Sequence, residues 1–105
     1  LNNLIISYSI TLSGSETPTE FMKSDTFTNI MYESIRDATN KKLRRVYVTL
    51  DILHNDMMIN AAVKIVYPQY HSIIESYMHE SELTEDYETC MMYHSLLEVI
   101  KNTKF

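Results

Sequence analysis

The alternation Val46, Val48, Leu50, Ile52 is followed at once by a second, Ile59, Ala61, Val63, Ile65. A two-residue period is the signature of a half-buried strand, and the adjacency of two such runs predicts a β-hairpin. Its turn is drawn from His54, Asn55, Asp56 and Met57. With neither Asn-Gly nor Asp-Gly present there, the pattern leaves turn length and register open. An earlier alternation sets Leu4, Ile6, Tyr8, Ile10 and Leu12 against Ser7, Ser9 and Thr11, predicting a first strand over residues 4–12. Residues 13–20 hold the sole glycine, Gly14, together with Pro18, and read as a loop.

Between these strands the period changes. Phe27, Ile30, Met31, Ile35 and Ala38 recur at three and four residues, predicting a helix capped by Ser24 or Thr26 and ending near Asn40, with Asp25 at its positive end. Pro68 stops the second hairpin strand and suits the first turn of a helix carrying Tyr70, Ile73, Ile74, Tyr77 and Met78. Thr84 is the expected cap of a last helix, with Glu85 and Asp86 in its first turn and Cys90, Met92, Tyr93, Leu96, Leu97 and Ile100 on its apolar face. Residues 41–54 also fit a helical stripe through Leu43, Val46, Tyr47, Leu50 and Leu53. The strand formers Val46, Tyr47, Val48 and Thr49 decide for the strand. The order strand, helix, strand, strand, helix, helix predicts an α+β fold: a small two-layer domain whose three-stranded sheet has helices packed on one face.

At 105 residues, with 45% apolar and 22% charged composition, the chain is read as a single globular domain, residues 1–105, and not as a disordered one. It begins at Leu1, consistent with excision from something longer, and its wealth of Asn, Lys, Ile, Met and Tyr fits coding from an AT-rich genome. One cysteine, Cys90, excludes an internal disulfide and a Cys-rich zinc module, and goes with a cytoplasmic setting. No apolar run reaches the roughly 18 to 20 residues of a membrane span, so a soluble domain is expected.

The sheet face away from the helices is expected to carry Ser7, Ser9, Thr11, Tyr47, Thr49, Asp51, Asn60, Ala62, Lys64 and Val66. On it Tyr47, Leu53, Val66 and Tyr67 are read as an apolar patch able to meet another chain. Exposed Met57 and Met58 beside the turn suit an adaptable contact surface, whereas Met31, Met78 and Met92 fall on apolar faces. Lys41, Lys42, Arg44 and Arg45 concentrate four of the nine basic residues, while Glu75, Glu80, Glu82, Glu85, Asp86 and Glu88 place acid in the last third. Basic residues beside Tyr47 also fit a nucleic-acid reading, with phosphate contacts and one stacking ring. The net charge of −5 and the absence of a longer basic stripe count against it.

His71, Glu75 and His79 share one helical face at intervals of four and are competent zinc ligands, with Glu82 or His54 as a further donor. They do not form the His-Glu-x-x-His motif of metallopeptidases, and solvated histidines explain them as well. Cys90 and His94 stand one turn apart, but a thiol inside an apolar stripe reads as core, not nucleophile. Residues 13–15 lack a phosphate-loop pattern, so no cofactor site is expected. The expectation is a noncatalytic protein-interaction or assembly domain, bound to a protein partner or as a homodimer, through Lys41, Lys42, Arg44, Arg45, Tyr47, Thr49, Val66 and Tyr67. A nucleic-acid module and a small metal-dependent enzyme are the alternatives.

Overall fold

In a computed structural model describing residues 3–105, the alternating segments form one mixed sheet of β1 (Asn3–Thr11), β2 (Arg45–His54) and β3 (Met57–Val66) in the order β1-β2-β3. β1 runs parallel to β2, and β3 antiparallel to it. A parallel pair needs a crossover, and the segment between β1 and β2 supplies it as α1 (Pro18–Met22) and α2 (Asp25–Asn40). α3 (Tyr67–Leu83) and α4 (Tyr87–Asn102) follow β3 as an antiparallel helix pair. The protein is a small α+β domain with helices on one face of a three-stranded mixed sheet.

The core lies between that face and the helices. Val46, Val48, Leu50 and Ile52 of β2 are all buried, as are Phe27, Ile30, Met31, Ile35 and Ala38 of α2. From the helix pair come Tyr70, Ile74, Tyr93, Leu96, Leu97 and Ile100. Tyr93 ties the helices together: its ring centroid lies 5.5 Å from Tyr32 of α2 and 5.8 Å from Tyr77 of α3.

Three local expectations need correction. Residues 13–20 are not wholly loop: Thr17 caps a single helical turn begun by Pro18, its hydroxyl accepting from Glu20 N at 3.2 Å. The turn seats buried Phe21 against Phe27, 5.8 Å between centroids, and five residues are too few to show a helical period. The cap of the last helix is Asp86, which accepts from Thr89 N at 3.2 Å, whereas Thr84 closes α3. Met92 is exposed, unlike buried Met31.

The two helix ends share one device. After α2, Leu43 N donates to Ala38 O and Lys42 N to Thr39 O; after α3, Asp86 N donates to Ser81 O and Glu85 N to Glu82 O. Each is a Schellman closure whose turning residue must take positive φ. Lys42 (φ 55°) and Glu85 (φ 59°) stand there in place of glycine. The hairpin turn is two residues, Asn55 (φ 51°) and Asp56 (φ 61°), the pair of left-handed conformations that a type I′ turn requires.

Candidate functional site

The strand registers lay out the uncovered sheet face in rows. From one end these are Ile5, Tyr47, Lys64; then Ser7, Thr49, Ala62; then Ser9, Asp51, Asn60; then Thr11, Leu53, Met58 at the hairpin tip. Arg45 and Val66 stand opposite each other before the first row. Ser7 and Thr49 hydroxyls meet at 2.7 Å across the parallel pair. Ile5, which the sequence reading left out of this face, is among its most exposed members.

Tyr47, Leu53, Val66 and Tyr67 do not make one patch. Six residues of strand, about 20 Å, separate Tyr47 from Leu53. Tyr67 has left the sheet as the first residue of α3 and stacks on Phe105, 5.3 Å between centroids. Arg44 is also engaged within the chain, its guanidinium donating to the Phe105 main-chain oxygen from Nε at 3.2 Å and Nη2 at 3.0 Å. Lys41, Lys42 and Arg45 are exposed around the α2–β2 junction. The structure thus gathers Arg45, Tyr47, Thr49 and Val66 on the open face and leaves Lys41, Lys42 and Tyr67 at its margin.

Apolar exposure gathers at the distal hairpin, where Met57 and Met58 are exposed as their place beside the turn suggests, and Ile59 and Ala61 of the alternating run are exposed against expectation. On the helix side of β3 only Ile65 is buried and Val63 half-buried, while Ala61 is exposed. Met57 is 67% exposed, Met58 59%, Leu53 37% and Ile59 36%, so apolar side chains line both faces of the tip. The signal in the sequence for the bare helix side is weak: small Ala61 stands opposite Leu50 of β2, and the flexible Met57–Met58 pair stands opposite His54 and Leu53.

Polar candidates are less assembled. Among the described residues no three His, Cys, Asp or Glu side chains converge as metal ligands. His71 Nδ1 lies 3.8 Å from Glu75 Oε2, both well exposed. Cys90 points its sulfur to Glu82 Oε1 at 3.9 Å, and partial burial, followed by the charges of Glu82 and Asp86, pushes its thiol pKa up, away from the thiolate a nucleophile needs. A cleft of about 630 Å³ where α1 and the start of α2 face the α3–α4 turn brings together Asp25, Glu80, Asp86 and Lys23 beside Tyr77 and Tyr93. Asp86 is engaged there as the α4 cap, with Thr89 Oγ1 at 2.7 Å from its second oxygen. Among the described residues, no helix is long and apolar enough to cross a membrane. No model of a known protein family matches the chain, and neither a curated protein nor a solved structure matches it.

Proposed function

We propose that this chain is a noncatalytic protein-interaction or assembly domain that binds through the β2–β3 hairpin and the open sheet face. The observation that carries the reading is the distal hairpin, where Leu53, Met57, Met58 and Ile59 expose apolar surface on both sides of one element. Contiguous apolar exposure of this kind marks contact surfaces, and paired methionines adapt to a partner's shape at little cost. Exposed Arg45, Lys41 and Lys42 at the opposite end of the hairpin give the surface a basic pole that steers encounter.

The test separates folding from binding. Leu53→Ser combined with Met57→Ser removes apolar surface at the tip; Met57 is 67% exposed and Leu53, 37% exposed, is the costlier of the two, so the pair should lose about 1 to 2 kcal/mol and stay folded. Association, read as molar mass by light scattering coupled to size exclusion and as stoichiometric co-purification with a partner from the native source, should fall. Undiminished association in a folded double variant overturns the reading.

A further inference from the structure

The partner that fits this hairpin is legible in its main-chain groups, and the inference rests on the interaction reading above. Among the described residues, β3 is an edge strand, paired with β2 alone. Tyr67 N donates to Arg44 O at 2.8 Å, continuing the β2–β3 ladder by one pair. Alternation in an antiparallel ladder then turns the N–H and C=O groups of Met57, Ile59, Ala61, Val63 and Ile65 toward β2. Those of Met58, Asn60, Ala62, Lys64 and Val66 turn outward. Val66 is already served, since its N–H donates to Gln69 Oε1 at 2.9 Å. The unserved edge is therefore residues 58–64, and a row of alternating donors and acceptors at strand spacing is satisfied by another strand.

We propose that this edge pairs antiparallel with the same edge of a second copy, about a two-fold axis at Ala61, joining two three-stranded sheets into one of six. Centring at Ala61 sets Asn60 opposite Ala62 and Met58 opposite Lys64, so all four open residues of each copy find hydrogen-bonding partners. A centre at Asn60 or Ala62 leaves Lys64 facing the Asp56 turn or Met58 facing the occupied Val66. The charges agree with this register. Lys64, the sole charged residue of β3, meets methionine and not its own copy, and the tip residue Asp56 comes diagonally beside Lys64 of the other copy, near Arg45. On the helix side Ile59 meets Val63 and Ala61 meets itself, covering the positions that the molecule's own helices leave bare. The β1 edge offers no such match: it carries no charge to select a register, and its helix-side residues Leu4, Ile6, Tyr8 and Ile10 are already half-buried.

Cross-linking tests the register directly. Ala61 on each copy forms a non-hydrogen-bonded pair, with Cα atoms about 4.5 Å apart, within disulfide reach. In a Cys90→Ser background, Ala61→Cys should oxidise to a covalent dimer at least about ten-fold faster than Ser9→Cys on β1 or Lys64→Cys, which faces methionine. The parent chain should show a mass rising from 12.3 kDa toward twice that value as concentration increases through roughly 10 to 100 µM. Asn60→Lys with Ala62→Lys, both at exposed positions, sets cation against cation and should hold the mass at the monomer value while circular dichroism stays unchanged. A parent chain that remains monomeric, a cross-linking rate for Ala61→Cys no higher than for Ser9→Cys, or a lysine variant that still dimerises each overturns the pairing. Loss of binding in Leu53→Ser with Met57→Ser, alongside any of those results, retains the interaction reading with a different partner.

Discussion

Tyr70 is the largest fully buried side chain, and its hydroxyl donates to Leu43 O at 2.9 Å. Burial pushes its pKa up to about 12 from the usual 10.0, because the phenolate would have to form without water. A raised folded-state value means that the folded protein holds its proton longer than the unfolded chain. Stability is thus unaffected below about pH 10 and is lost as pH rises toward 12, by roughly 2 to 3 kcal/mol from this residue. Burial moves Tyr8, Tyr77 and Tyr93 in the same direction. Urea titrations from pH 8 to 12 should show the fall; Tyr70→Phe should cost about 1 kcal/mol at pH 8, by orphaning Leu43 O, and flatten the alkaline limb. Thr39 makes the opposite case. Its Oγ1 is buried without a hydrogen-bond partner among the described residues, so Thr39→Val, which keeps the shape and the β-branch, should raise stability by about 1 kcal/mol in the same titration. Helical spacing announces Tyr70 as an apolar position. It is silent on the bond to Leu43, because that depends on how α3 docks against a residue 27 positions earlier.

At the scale of elements, the strands and α2 were legible because their buried residues keep one period: β2 alternates without a break, and all five residues of the α2 stripe are buried. Endings were harder. A chain with one glycine must place other residues at left-handed turns, and Lys42, Asn55, Asp56 and Glu85 give no local sign that they stand there. The misplaced start of α4 follows from this, since a Schellman closure through Glu85 turns Thr84 into the end of α3 and passes the cap to Asp86. Lys42→Gly and Glu85→Gly should each stabilise the fold by roughly 0.5 to 1 kcal/mol, by relieving the Cβ clash at positive φ. Asp86→Ala should cost about 1 kcal/mol and Thr84→Ala clearly less, measured by thermal unfolding. A larger loss at Thr84 would return the cap to that residue. β3 was legible as a strand and misleading as core, since its period is right and its distal half has nothing above it.

The whole molecule is a slab, with Cα extents of 45 × 38 × 16 Å and a radius of gyration of 14.6 Å against about 13 Å for a compact chain of this length. A two-layer fold this thin has little interior, and the helix layer does not reach over the distal hairpin. That shape explains why the sheet and its helix partners could be read from periodicity while the bare helix side of distal β3 could not: alternation reports which face a side chain takes, and coverage depends on how far the helices extend. It also concentrates the attachment of α3 and α4 to the rest of the chain. The aromatic group of Tyr32, Tyr77 and Tyr93 links α2, α3 and α4, and Tyr93 is 4% exposed at its centre. Tyr93→Ala should therefore cost about 3 to 5 kcal/mol, as for other buried aromatic truncations, and broaden the unfolding transition as α4 loosens before the sheet melts. Tyr93→Phe keeps both ring contacts and should stay within about 1 kcal/mol of the parent. Amide exchange in the alanine variant should accelerate first in Tyr87–Asn102, with β2 still protected; simultaneous loss of protection across β2 would mean that the helix pair and the sheet fold as one unit.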